Sequence, residues 1–259
     1  MNAENIQRHL KNNSFDINKT FIEFFDEMDS THTKAKTLIN NKENIVIISN
    51  SQTNGYGRYG KSFHSPKGRG IYMSFVLNYF NVSIDYITMY VALVVCEAIY
   101  KSTGIQPSVK WVNDIFINNY KIAGILVDNF IIGDFNVYVI GIGINFYNEE
   151  ESIPKELKNV ARAIFMDTIP TTTRSELVAN IIQFIYEKQH YRNEYILDEY
   201  KKLLFILNRI VYLVRDNIFT KVKVLDLDKN GYLIVEDENG TIQKLIAGEV
   251  SIRIEEGLK

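Results

Sequence analysis

The chain has 259 residues, 46% hydrophobic and 23% charged, the proportions of a folded globule rather than of a disordered or fibrous chain. Its 29 Lys and Arg face 31 Asp and Glu, a net charge of −2, whereas a protein that grips long nucleic acid carries a basic excess. The single cysteine, Cys96, excludes an internal disulfide, no apolar run reaches membrane-spanning length, and residues 1–20 hold no apolar signal core, so a cytoplasmic protein is expected.

Residues 21–27 (FIEFFDE) read as a strand, and Asp29-Ser30-Thr31 supplies side-chain oxygens to cap a short helix over 33–40. Residues 44–49 (NIVIIS) are a buried-strand pattern rich in β-branched side chains. A glycine-dense loop over 52–70 leads into a strand at 71–77. Residues 83–101 form the clearest core helix, ended at Gly104, and within it Cys96 is a buried thiol. Three strands are predicted next, over 109–117, 121–130 and 135–144. Asn118-Asn119 joins the first two, because asparagine tolerates the positive φ of a two-residue hairpin turn. An amphipathic helix covers 174–191, and a second lies around 197–204. Beyond Asn208, five short strands (210–214, 221–226, 232–236, 242–246 and 250–254) alternate with turns at Asp216-Asn217, Lys229-Asn230-Gly231 and Asn239-Gly240. This spacing fits a small SH3-like barrel over 208–259, after a mixed α+β domain over 1–207.

Gly55-Tyr56-Gly57-Arg58-Tyr59-Gly60 spells G-x-G-x-x-G after a strand, but the context refuses a dinucleotide-binding reading. That fingerprint opens a helix, whereas Pro66, Gly68 and Gly70 arrive at once, and no Asp or Glu occurs between Glu43 and Asp85. A kinase reading fails too, since no V-A-I-K, H-R-D or D-F-G follows. Glycines free backbone N–H groups to approach an anion, and Arg58, Lys61, Lys67 and Arg69 add positive charge without a carboxylate to cancel it. Arg58 offers a planar fork of donors to a phosphate or carboxylate. The alternative is a mobile surface loop whose cations are merely solvated.

A second constellation is Lys110-Trp111-Val112-Asn113-Asp114 followed by Lys121-Ile122-Ala123-Gly124. With a two-residue turn at Asn118-Asn119, Phe116 pairs with Lys121, and Asp114 lies diagonally opposite on the same face. An ammonium and a carboxylate then share one ligand, as phosphoryl or nucleotidyl chemistry requires, with lysine neutralising phosphate charge and Asp114 able to hold Mg²⁺. An ordinary cross-strand salt bridge is the alternative, and a tryptophan such as Trp111 is more often a packing residue than a ligand contact. His9, His32, His64 and His190 are scattered, with no paired spacing for zinc, and neither a G-x-S-x-G elbow nor a Walker A sequence occurs.

Taken in order, Asp29-Ser30-Thr31, the segment from Gln52 to Lys61, Ser65-Pro66, Lys110-Trp111-Val112-Asn113-Asp114, Lys121-Ile122-Ala123-Gly124-Ile125-Leu126, Gly141-Ile142-Gly143-Ile144-Asn145 and Gly248-Glu249-Val250-Ser251 closely resemble the biotin–protein ligases (biotin–[acetyl-CoA-carboxylase] ligases). That family shows D-S-T, Q-T-x-G-R-G-R-x-G-R, K-W-P-N-D, K-x-A-G-I-L, G-x-G-I-N and G-E-(I/V)-S. Tyr56 and Lys61 stand where the family has arginine, and Val112 replaces the proline of K-W-P-N-D. Arg58 and Lys121 are retained.

The resemblance implies a biotin/lipoate-ligase mixed sheet with the SH3-like appendage, and ATP-dependent transfer of biotin through biotinyl-5′-AMP to a lysine of a carboxylase's biotin-carrier domain. Biotin, ATP and Mg²⁺ are the expected small molecules. Arg58, Lys121 and Asp114 are the implied catalytic residues, with Asp114 on the metal. Ser30, Thr31, His32, Gln52, Gly55, Tyr56, Gly57 and Gly124 join Arg58 and Lys121 around biotin. Lys110, Trp111, Asn113 and Asn145 join Arg58 and Lys121 around the nucleotide. The 52–70 loop is expected to be mobile when empty and to order over the adenylate. Some relatives add a winged-helix repressor, for which residues 1–20 are too short, so no DNA partner is expected. A homodimer through a sheet edge stays open. A lipoate–protein ligase and a non-catalytic biotin-binding protein are the rival readings. The lipoate-type R-R-x-x-G-G-G loop does not occur.

Overall fold

The computed structural model describes residues 1–16, 20–41, 43–78, 80–149, 153–215, 218–246 and 251–253. A seven-stranded sheet is built from β1 (Phe21–Phe25), β2 (Ile45–Ser49), β3 (Gly70–Asn78), β4 (Ser108–Lys110), β5 (Asp114–Ile117), β6 (Tyr120–Ile132) and β7 (Phe135–Asn145), in the order β1-β2-β3-β7-β6-β5-β4. The β1–β2 pair is parallel and every other pair is antiparallel, so the sheet is mixed.

The apolar run of β2 follows from burial on both faces. Val46 and Ile48 join the main core, with Ile71, Met73, Ile140 and Ile142, while Ile45 and Ile47 pack with Val76, Val137 and Val139 on the other side. Helices α3 (Ile87–Thr103) and α4 (Arg174–Glu187) belong to the main core. Helix α3 is apolar on most of its circumference, and Gly104 ends it at φ 73°, a left-handed cap that glycine adopts without Cβ strain. Burial raises the pKa of the Cys96 thiol inside it, as expected for an inert core cysteine. On the other face sits α2 (Thr31–Lys36), which starts two residues and ends four residues before the predicted bounds, with Ser30 Oγ accepting from Thr33 N at 3.3 Å. Helix α5 (Asn193–Leu203) completes the layer over β4.

The predicted strand over 109–117 is two strands. It reverses at 111–113, so β4 and β5 pair with each other, Lys110 opposite Asp114. Asn118 and Asn119 both take positive φ, 49° and 66°, and make the expected tight turn. Phe116 pairs with Lys121 as anticipated, and a bulge between Ile115 and Phe116 then sets Asp114 opposite Gly124.

Sequence reading missed α1 (Ala3–Asn12), although Asn2 caps it by accepting from Asn5 N and Ile6 and Leu10, spaced i,i+4, are its buried residues. It also missed the two-residue strands β8 (Tyr147–Asn148) and β9 (Phe165–Met166), which pair in parallel.

Strands β10 (Ile210–Arg215), β11 (Ile218–Leu227), β12 (Leu233–Asp237), β13 (Ile242–Leu245) and β14 (Ser251–Arg253) form the antiparallel SH3-like sheet, ordered β13-β12-β11-β10-β14. Gly231 and Gly240 both sit at φ 78° in its turns. The predicted Asp216-Asn217 turn and the motif residues Gly248, Glu249 and Val250 lie outside the described residues. Val211, Val224 and Leu233 belong to the same apolar cluster as α3 and α4. Among the described residues, no helix is long and apolar enough to cross a membrane.

Candidate active site

On the α2 face, the sheet is stripped of side chains where β6 and β7 meet. Gly124 pairs with Gly143, and Leu126 with Gly141. This glycine patch floors a cavity of about 660 Å³, within the size range of small-molecule sites. A Cβ at Gly141 would stand 2.8 Å from His32 Nδ1, and one at Gly143 would stand 2.7 Å from the Phe63 ring. The motif G-I-G-I-N is therefore glycine for clearance.

Start-of-helix residues Ser30, Thr31 and His32 are buried at one end of the cavity. Gln52 ties them to the loop. Its Oε1 accepts from Thr31 N at 2.8 Å and Thr31 Oγ1 at 3.1 Å, and its Nε2 donates to Ser65 Oγ at 3.0 Å. Ser74 Oγ lies 2.9 Å from Thr31 Oγ1. Gly55 does not line the cavity; a Cβ there would meet Gln52 Nε2 and Ser65 Oγ at 2.7 Å, so it serves the loop's own packing.

The loop folds back on itself over the cavity. Gly57 N donates to Lys61 O at 2.8 Å and Phe63 N to Gly55 O at 2.9 Å, with the tip at Arg58-Tyr59-Gly60. Tyr56 sets its ring edge-on to His32, 5.9 Å between centroids. Arg58 Nη1 donates to Asn113 Oδ1 at 3.0 Å, while Asn113 Nδ2 donates to Ile125 O at 2.9 Å. Asn113 thus anchors the loop arginine to the sheet.

At this second end the cations gather. Lys121 Nζ lies 2.6 Å from Asp114 Oδ1, and Lys110 Nζ lies 3.6 Å from Asp114 Oδ2. Burial pushes the Asp114 carboxyl up, but Lys121, Lys110 and Arg58 together outweigh it and hold the group below its ordinary value. A Cβ at Gly124 would stand 3.3 Å from Lys121 Nζ, so this glycine keeps the ammonium's position open.

Sequence reading also gave Asp114 a part in holding Mg²⁺, for which one carboxylate beside a nucleotide's phosphates suffices. Both its oxygens face ammonium groups, and no cluster of three or more His, Cys, Asp or Glu able to hold a metal occurs among the described residues. Asp114 is the counter-ion that keeps the cations in place.

Trp111 and Asn145 also line the cavity. The Trp111 indole N–H is committed to Gly231 O at 3.0 Å, joining the site to the SH3-like sheet. Sequence reading missed the segment over 153–163, which walls the far side. There Lys121 N donates to Val160 O at 3.1 Å, and Arg162 N to Lys121 O at 3.0 Å. It also missed Ser74, Asp128 and Lys36. Ser74 and Asp128 are polar interruptions in otherwise apolar strands, the one signal that marks them.

The arrangement is a trough with a neutral hydrogen-bonding end, a smooth middle and a cationic end. Known proteins are similar to this chain in sequence and in fold. The sequence pattern of the Biotin/lipoate A/B protein ligase family matches residues 24–145, and that of the Biotin protein ligase C terminal domain matches residues 206–253. The bifunctional ligase/repressor BirA of Bacillus spizizenii is 28% identical over 240 residues, covering 88% of this chain and 72% of its own. BirA of Escherichia coli is 29% identical over 221 residues, covering 82% and 67%. Among solved structures, a biotin protein ligase from Aquifex aeolicus in complex with biotin and ATP superposes with a TM-score of 0.73 at 26% identity, covering 90% of this chain and 98% of that one. Fold, motifs and both halves of the chain agree, and the protein belongs to the biotin/lipoate A/B protein ligase family, with the C-terminal domain of its biotin protein ligases.

Proposed function

We propose that the chain is an ATP-dependent biotin–protein ligase that activates biotin as biotinyl-5′-AMP and transfers it to a lysine of a carboxylase's biotin-carrier domain. The observation that carries this reading is the polarity of the trough, neutral donors and acceptors at α2 and Arg58, Lys110 and Lys121 at the opposite end. A small polar ring on an apolar chain ending in a carboxylate matches that order. The glycine floor gives the valeryl chain room, and the cationic end receives the carboxylate and the α-phosphate.

In the first step a biotin carboxylate oxygen attacks the α-phosphorus. The bond to the bridging oxygen of the β-phosphate breaks, and pyrophosphate leaves. Arg58 and Lys121 neutralise charge on the attacking carboxylate and on the equatorial phosphate oxygens, and Asn113 holds the guanidinium in place for this. Mg²⁺ would arrive on the nucleotide's own phosphates and offset their charge there. In the second step an uncharged lysine amine attacks the acyl carbon, AMP leaves, and the amine's surplus proton passes to solvent. The folded-back loop keeps water from the mixed anhydride between steps.

Pyrophosphate release on adding biotin and MgATP tests the reading, with lipoate in place of biotin as the control. Release with biotin alone is expected. Release with lipoate alone, or with neither, overturns it.

A further inference from the structure

Helix α4 opens with a cation where local chemistry does not favour one. Thr173 Oγ1 caps the helix by accepting from Glu176 N at 3.1 Å, which makes Arg174 its first residue, and a positive charge there opposes the helix dipole. Burial also works against that charge, and among the described residues no carboxylate pairs with it. The guanidinium is spent elsewhere. Its Nη1 donates to Asn50 Oδ1 at 3.3 Å and to Gly70 O at 3.1 Å. Asn50 precedes the glycine loop and Gly70 ends it, so one nitrogen joins the two ends of the segment 52–70.

Other bonds close the base of the same loop. Asn50 Nδ2 donates to Asp26 Oδ1 at 3.2 Å, Asp26 Oδ2 pairs with Lys67 Nζ at 2.6 Å, and Gly68 N donates to Asn50 O at 3.3 Å. The Asp26–Lys67 pair is exposed to solvent and holds little. Arg174 is half-buried and Gly70 is buried, and a charged donor strengthens the hydrogen bonds between them. Arg174 does not line the trough, because α4 belongs to the core on the opposite face of the sheet. It nonetheless fixes a strand end beside the site, since Gly70 pairs with Asn145, which does line the trough. Holding both ends of a loop together limits the conformations in which its tip, Arg58-Tyr59-Gly60, leaves the sheet.

We propose that Arg174 is a positioning residue for the ligase reaction inferred above, a role that rests on that reading. From behind the sheet it joins the entry and exit of the glycine loop, and so keeps the loop closed over the adenylate.

The test follows pyrophosphate release by the full chain with biotin and MgATP and no acceptor protein. A closed loop retains the adenylate, so wild type is expected to give a single-turnover burst and then a slow phase set by loss of the adenylate to water. In Arg174→Met, which keeps the aliphatic stem and removes the donors, the slow phase is expected to rise at least threefold relative to the burst. Asn50→Ala removes one arm of the bridge at a site outside the core, and the same rise of at least threefold is expected there. A purely structural role would lower the melting temperature of both variants and leave the ratio of slow phase to burst unchanged. A change below threefold in a folded variant, failure of both variants to fold, or a wild type without a burst overturns the proposal while the ligase reading stands. A wild type that releases no pyrophosphate with biotin removes both.

Discussion

Lys121 carries three relationships at once. Its ammonium pairs with Asp114, its backbone pairs with Val160 and Arg162, and the neighbouring floor glycine leaves its Nζ uncovered on the cavity side. Lys121→Ala removes the charge without touching the backbone pairing, and Lys110 remains to balance Asp114. The expected result is a loss of pyrophosphate release of roughly 10²–10³-fold, the usual effect of deleting one oxyanion donor. The folded state is expected to survive, as read by circular dichroism. Near wild-type release refutes the assigned role. At this scale the sequence was informative about residue type and weak about allegiance. The spacing of Asp114 and Lys121 across an Asn-Asn turn was sufficient to place them together, because a hairpin's register is fixed locally. By contrast, the bonds of Gln52 to Thr31 and Ser65, and the pairing of Asp114 with two lysines, came only from the fold, although both residues line the cavity. Which partner a polar side chain keeps depends on tertiary neighbours, and spacing carries no record of them.

Elements were legible where local chemistry alone decides them. The left-handed cap at Gly104, the positive-φ asparagines and the glycine turns of the C-terminal sheet all fall where expected. The reversal at 111–113 was not, because Val109, Trp111, Val112 and Ile115 to Ile117 read as one apolar stretch and no glycine marks the bend. Helix α1 escaped because polar residues dominate it and its buried side chains are only Ile6 and Leu10. The glycine loop is the element on which the chemistry depends. Its hydrogen bonds to the rest of the site run chiefly through Gln52 and Arg58, so a bound ligand between loop and sheet adds contacts that the loop does not make by itself. Amide exchange over residues 52–64 is therefore expected to slow at least tenfold with biotin and ATP, relative to the protein alone. Unchanged protection across the loop eliminates the closing role.

For the whole molecule, the notable joint is between the site and the C-terminal sheet. Trp111 reaches Gly231 O, Lys201 pairs with Asp226 at 2.8 Å, and Asn208 N donates to Val224 O at 2.9 Å. Trp111→Phe keeps most of the buried ring area but leaves the Gly231 carbonyl unpaired, a cost of about 1–3 kcal/mol. A lower melting temperature is expected, together with faster amide exchange at residues 229–231. A variant that melts like wild type and exchanges no faster would show that the two parts are held by other contacts. The family assignment was legible at this scale because its motifs occur in order along nearly the whole chain, which no single site residue can convey.

The bare patch formed by Gly124, Gly141 and Gly143 has one more implication. Elsewhere the same sheet face is tiled by Ile45, Ile47, Val76, Val137 and Val139, so a ligand bound as proposed would take up the place that side chains occupy in the rest of that layer. The vitamin would then act as a removable piece of the interior. Filling that gap would raise the stability of the folded state by mass action, in proportion to how far the free ligand exceeds its dissociation constant.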